Sequence, residues 1–204
     1  MSQIELEAGL QAGAKPALRD RIRAERRARS SRERHELSGA IRDVLLELPM
    51  IRTARTVAVY ASLPSEPGTA PLRTALRAAG VTVLLPVRRP DNDLHWATDS
   101  GKTRISLSGP PLPEPVSDSL GADAISEAEV VVVPALAVDT QGYRLGQGGG
   151  SYDRALRRAS PAATLLALVY DDELFDAGVE PLPREPHDVR VHGVVTPSHC
   201  MLFA

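Results

Sequence analysis

Apolar side chains recur at three- and four-residue spacings over residues 15–48, through Leu18, Ile22, Leu37, Ile41, Val44, Leu45 and Leu48. That period predicts helix. Pro49 ends it, and Ser30, Ser31 and Ser38 are points where it can divide in two. The period then changes. Residues 56–61 (TVAVYA) form a short β-branched run that predicts a buried strand, residues 69–79 a helix closed by Gly80, and residues 81–85 the next strand. Residues 86–128 are rich in Pro, Ser, Asp and Gly, and alternate only at Leu94-His95-Trp96-Ala97 and Arg104-Ile105-Ser106-Leu107. These predict short hairpin or edge strands. Four consecutive valines at 130–133 read as a strand buried on both faces. A helix over 152–159, a strand over 164–169, a short helix over 171–177 and a last strand over 189–195 complete the pattern. Strands alternating with helices predict an α/β fold: a single three-layer α/β/α domain around a mostly parallel, Rossmann-like sheet. Residues 1–14, with Gly9 and Gly13 and no packing period, are expected to form a flexible tail before a domain spanning 15–204.

Composition narrows the classes. A chain of 204 residues suits one domain with a substantial core and is short for two. At 43% hydrophobic and 3% aromatic, its interior must be aliphatic. A net charge of −2 gives no general reason for a nucleic-acid partner. No uninterrupted apolar run approaches the ~18 residues of a membrane span. The first fifteen residues carry acids and no apolar signal-peptide core, so a cytoplasmic location is expected. Cys200 is the sole cysteine, which excludes an internal disulfide framework and a cysteine metal cluster. Lysine occurs only at 15 and 102 among 24 basic residues, while eight arginines fall between Arg19 and Arg34. That run reads either as a solvated face paired with Glu25, Glu33 and Glu36, or as a patch facing phosphate.

The most informative stretch is residues 130–153, VVVVPALAVDTQGYRLGQGGGSYD. An apolar strand runs into a glycine-dense loop and then a helix start. Gly146, Gly148, Gly149 and Gly150 lack the β-carbons that would hold a ligand off the main chain. They also permit the positive φ angles that turn successive N–H groups toward one anion, and the helix start adds its own. Asp153 lies close enough to hold a divalent cation beside that anion; alternatively it is an acid favoured by the helix dipole. Ser151 follows the last glycine with no lysine nearby, so a Walker loop is excluded, and glycine spacing excludes a dinucleotide fingerprint. No Ser-His-Asp or Cys-His set stands out.

The run Pro134-Ala135-Leu136-Ala137-Val138-Asp139, then Gly142-Tyr143-Arg144-Leu145-Gly146, Gly148-Gly149-Gly150 and Tyr152-Asp153, resembles the signature of the 5-formyltetrahydrofolate cyclo-ligase (methenyltetrahydrofolate synthetase) family. Lys15-Pro16-Ala17-Leu18-Arg19, Ala61-Ser62-Leu63 with Glu66, and Pro183, Glu185 and His187-Asp188 agree in order and spacing. The resemblance implies ATP- and Mg2+-dependent closure of 5-formyltetrahydrofolate to 5,10-methenyltetrahydrofolate, releasing ADP and phosphate. It implies that Lys15, Arg19 and the loop Arg144, Leu145, Gly146, Gln147, Gly148, Gly149, Gly150, Ser151 and Tyr152 bind ATP. Asp153 and Asp188 would share the magnesium, with Asp153 and Arg144 catalytic. Ala61, Glu66 and the edge from Gln147 to Ser151 would face the folate. The chain is expected to act as a monomer, with no nucleic-acid or membrane partner.

Departures from the family pattern are Gln147 and Gly149, where some members carry basic residues, Ser151 in place of the first of two tyrosines, His192 for a late Asp, and Glu173 where Gln is frequent. They keep a second reading open: a relative that binds nucleotide without this reaction, acting on another substrate or as a binding module. A third, from fold alone, is a sugar-phosphate isomerase or CoA transferase. Tyr143 and Trp96 read as packing residues, and His187 and His192 as structural histidines.

Overall fold

The computed structural model describes residues 3–106, 111–185 and 188–203, with side chains from Lys15 onward. The amino-terminal run divides into α1 (Gln3–Ala28) and α2 (Ser31–Glu47), and the break falls at Ser30, whose hydroxyl accepts the Glu33 N–H at 3.1 Å. The helical backbone begins at Gln3, upstream of the expected boundary at Lys15, in a segment whose Glu, Leu, Gln and Ala residues, all good helix formers, outnumber Gly9 and Gly13. Pro49 stops α2 and also opens α3 (Pro49–Thr53), where a first-turn proline forfeits no hydrogen bond.

The chain continues through β1 (Thr56–Ala58), α4 (Ala70–Ala78), β2 (Thr82–Arg88), β3 (Leu94–Thr98), β4 (Thr103–Ser106) and β5 (Leu112–Pro115). After a 3-10 turn come β6 (Val130–Pro134), β7 (Ala137–Asp139), β8 (Arg144–Leu145), α5 (Ser151–Leu156) and β9 (Thr164–Leu168). Then follow β10 (Leu174–Phe175), β11 (Gly193–Val195) and β12 (Cys200–Leu202). Seven strands form one sheet in the order β12-β11-β9-β6-β1-β2-β3. The five inner strands are parallel, and β3 and β12 add antiparallel edges. The fold class is therefore as expected: α/β with a mostly parallel central sheet.

Side-chain alternation builds two cores. Val131 and Val133 of β6, with Leu165 and Ala167 of β9, face Ala155 and Leu156 of α5. Val130 and Val132, with Leu166 and Leu168, face Ile41 and Leu45 of α2 and Leu72 and Leu76 of α4. A third cluster joins Ile22 of α1 to Leu136, Ala137, Leu145 and Phe175, and fixes α1 against a small sheet in the order β10-β7-β8.

Three local expectations are corrected. The helix expected over 171–177 is a 3-10 turn, Asp171–Glu173, followed by β10, which pairs with β7. Glu173 turns back to accept the Tyr170 N–H at 2.8 Å, which closes the turn. The last strand is confined to Gly193–Val195, because the Val191 N–H goes to the Gly142 carbonyl (2.9 Å) instead of the sheet. The helix expected over 152–159 is the shorter α5, Ser151–Leu156.

Strand order reverses between β1 and β6: from β1 the chain adds β2 on one side, and from β6 it adds β9 and β11 on the other. Such a switch point opens a crevice beyond the carboxyl ends of both strands.

Candidate active site

A cavity of about 570 Å³ lies at that crevice, within the range of small-molecule sites. Residues leaving β1 (Ala61, Leu63, Glu66) form one wall, and residues leaving β6 (Pro134, Ala135) form the floor. The glycine loop before α5 closes one end. Every residue singled out from the sequence for ATP, folate or metal lines this one cavity, from Lys15 and Arg19 to Asp153 and Asp188. Residues 170–171, which follow β9, are not part of its lining.

Of the four loop glycines, only Gly148 (φ 101°) and Gly150 (φ 64°) use the left-handed region. The positive-φ expectation thus narrows to two, and at these a side chain would strain the backbone. α5 has only six residues, so the loop amides carry more of any anion site than the helix dipole does. The loop is held from above by α1, since Arg19 Nε donates to the Gly146 carbonyl at 2.9 Å.

Within the motif, Asp139 serves the backbone rather than the cavity. Its buried carboxylate accepts the N–H groups of Gln141 and Tyr143, each at 3.0 Å, and shapes the β7–β8 turn that delivers Arg144. Tyr143 packs beneath the guanidiniums of Arg184 and Arg190, and Trp96 is fully buried. Both are packing residues, as expected.

The charged groups stand in pairs. Arg144 Nη2 lies 2.6 Å from Asp153 Oδ1, which also accepts the Val189 N–H at 3.4 Å. Lys15 Nζ lies 2.9 Å from Glu185 and 3.4 Å from Asp188, whose Oδ2 accepts the Glu185 N–H at 2.7 Å. Asp153 and the residue after Asp188 are therefore in contact, which brings the two predicted metal carboxylates to one end of the cavity. His187 lies outside the described residues. No group of three or more His, Cys, Asp or Glu suited to a metal occurs among the described residues. Two carboxylates beside a phosphate-sized loop fit a magnesium that arrives with phosphate oxygens and keeps its waters, rather than a resident ion.

Burial pushes the Glu66 carboxyl above its usual 4.5, against the opposing pulls of the Leu63 N–H and Arg26. For a raised acid the folded state holds the proton more tightly, so stability falls as pH rises from the ordinary value through the raised one. Glu66→Gln is therefore expected to raise the melting temperature at about pH 7, with the gain vanishing by about pH 4. Thermal melts at both pH values check this; an equal gain at each would contradict it.

Residues 11–197 match the profile of the 5-formyltetrahydrofolate cyclo-ligase family. The chain belongs to that family. It is 40% identical over 190 residues to the 5-formyltetrahydrofolate cyclo-ligase of Mycolicibacterium smegmatis, covering 91% of this chain and 94% of the relative. It is 33% identical over 180 residues to the Escherichia coli (strain K12) protein of that name, covering 87% and 97%. The NMR structure of Aquifex aeolicus 5,10-methenyltetrahydrofolate synthetase superposes with a TM-score of 0.76 at 26% identity, over 92% of each chain. A cyclo-ligase is an enzyme, and the isomerase and CoA-transferase readings from fold alone are set aside.

The departures from the family pattern now separate. Gln147, Gly149 and Ser151 line the cavity. His192 does not: it sits on the outer part of the sheet, its Nδ1 accepting the Leu165 N–H at 3.0 Å. Glu173 is buried in an ion pair with Arg26. Sequence reasoning missed the wall built by Arg88, Leu94, Pro113 and Glu114. Glu114 is buried there and accepts the Arg88 N–H at 3.0 Å. Its strand, β5, reads LPEP, and two prolines in four residues hid it.

Among the described residues no helix is long and apolar enough to cross a membrane.

Proposed function

We propose that this cavity binds 5-formyltetrahydrofolate together with magnesium-bound ATP and closes the folate to 5,10-methenyltetrahydrofolate, with release of ADP and phosphate. The observation that carries this reading is convergence: Lys15, Arg19, Glu66, Arg144, Asp153, Asp188 and the glycine loop, scattered from residue 15 to 188, line one cavity. The names of the relatives support the substrate.

In this reading the formyl oxygen on N5 attacks the γ-phosphorus of ATP, and the bond from that phosphorus to the bridging oxygen breaks, leaving ADP. N10 then attacks the formyl carbon, loses its proton, and the carbon–oxygen bond breaks to release phosphate. Magnesium, held by Asp153 and Asp188, would neutralise spreading phosphate charge. The chain's own groups position and neutralise: loop amides and Arg19 face the phosphates, and Lys15 and Arg144 exchange their present carboxylates for phosphate oxygens. Glu66, across the cavity, accepts hydrogen bonds from pterin nitrogens. No protein nucleophile is needed, since the transfer asks for alignment and charge stabilisation. Cys200, half-buried with its thiol pushed up by burial, fits an inert residue in a reducing cytoplasm.

Incubation of the pure protein with 5-formyltetrahydrofolate, ATP and magnesium, followed by near-ultraviolet absorbance of the methenyl product, tests the reading. Product is expected only with all three present. Nucleotide binding without product would favour the non-cyclo-ligase relative instead. Lys15→Ala is expected to raise the ATP KM by about tenfold, the scale of a charge-assisted hydrogen bond, with a smaller change in folate KM. An unchanged ATP KM would remove Lys15 from the phosphate site.

A further inference from the structure

The glycine loop has no charged side chain of its own from Gly146 to Ser151; of the cavity-lining cations beside it, Lys15 and Arg144 are paired with carboxylates, and Arg19 reaches in from α1 to bond the Gly146 carbonyl. Positive charge at the loop must therefore come from outside it. Two arginines flank the loop without lining the cavity. Arg23 lies one turn beyond Arg19 on the same face of α1. Its Nε and Nη2 donate to the Gln147 side-chain oxygen at 3.1 and 2.7 Å, its Nη2 also approaches the Gln147 carbonyl at 3.5 Å, and its Nη1 reaches Asp20 at 3.2 Å. Arg154 of α5 holds the other side. Its Nη2 donates to the Asn92 carbonyl at 2.7 Å and approaches the Gly149 carbonyl at 3.4 Å. Its Nη1 stands 3.1 Å from where a β-carbon on Gly150 would be. Arg154 forms no ion pair among the described residues, although with Arg158 it holds down the nearby Asp93 carboxyl, and Asp20, which faces Arg23, is largely solvent-exposed, so part of both charges is left to the loop.

We propose that Arg23 and Arg154 are phosphate-positioning residues: held on Gln147 and Gly149, they supply from two helices the positive field that an uncharged loop lacks, and set its preference for a triphosphate over a monophosphate. This rests on the nucleotide reading above. Gln147 is then a bracket for a guanidinium, and each arginine steadies the loop through acceptors that leave other N–H groups of the fork unused.

Calorimetric titration of the full chain with the magnesium complex of a non-hydrolysable ATP analogue, and separately with AMP, tests the assignment. Arg23→Gln and Arg154→Gln are each expected to weaken the analogue about three- to tenfold, the scale of a partly exposed charge. The double variant is expected to show roughly the product of the two, while AMP changes by less than about twofold in every variant. Arg23→Lys should retain most of the affinity. Gln147→Arg placed in the Arg23→Gln protein should restore it, because the charge then sits on the loop itself. The difference from wild type should shrink at about 0.5 M salt, where screening acts within a few ångströms. Equal loss for AMP and the triphosphate would overturn the proposal in favour of a structural brace, and no loss for either would mark both as inert surface charges. Wild-type protein that binds neither ligand would instead overturn the nucleotide reading, and this proposal with it.

Discussion

Asp153→Asn is expected to lower turnover at least about a hundredfold, equivalent to about 2.7 kcal/mol of transition-state stabilisation. The substitution keeps shape and one acceptor oxygen but removes the charge. That charge acts in two states: in the proposed reaction it holds a cation beside the transferring phosphate, and before ligand binding it pairs with Arg144 at 2.6 Å. Arg144 is almost entirely buried, at 4% side-chain exposure, so losing its partner also costs stability. A melting curve must therefore accompany the kinetics. A folded variant with wild-type kcat would exclude Asp153 from the chemistry.

Arg26→Leu is expected to destabilise the protein by about 3–5 kcal/mol, the cost of leaving a buried ion without its partner. Arg26 and Glu173 have side-chain exposures of 2% and 1%, and the pair is bidentate, with Nε and Nη2 at 2.7 and 2.8 Å from the two carboxylate oxygens. The same guanidinium donates to the Ala135 carbonyl at 2.6 Å, at the cavity floor. Arg29 adds a second link, stacking 4.2 Å above the Tyr170 ring and pairing with Asp172. Together they fasten α1, and with it Lys15 and Arg19, over the site. Against a total stability of about 5–15 kcal/mol for a typical domain, the loss is large. Replacing both partners with apolar residues, as in Arg26→Met with Glu173→Leu, is expected to recover most of it, because neither charge is then buried alone. Denaturant titration of the single and double variants reads the difference. A single variant as stable as wild type would show that the pair contributes nothing to docking α1.

The arginine run illustrates what the sequence could and could not convey. Its two readings, solvated face and phosphate patch, concern different sides of the helical run. Arg32 with Glu36 is the exposed (i, i+4) pair expected of a solvated face, while Lys15, Arg19 and Arg23 fall on the face toward the glycine loop. The spacing was legible; which face turned inward was not, because that depends on Ile22 meeting Leu136 and Phe175 across more than a hundred residues. The parallel strands were legible because uninterrupted Val and Leu runs require burial on both faces. The small β10-β7-β8 sheet was not, since its strands have two or three residues and carry no period. The cavity's glycine-loop end was read through glycines and acids that have few other uses in one loop. Its opposite wall, from Arg88 to Glu114, was missed because prolines in β5 resemble a linker.

A crystal structure of the protein with magnesium and a non-hydrolysable ATP analogue tests the central claim most directly. The phosphates are expected against the amides of Gly146 to Gly150, with the metal about 2.1 Å from an oxygen of Asp153 or Asp188, or one water away. Phosphates bound elsewhere, or a loop turned away from them, would contradict the account.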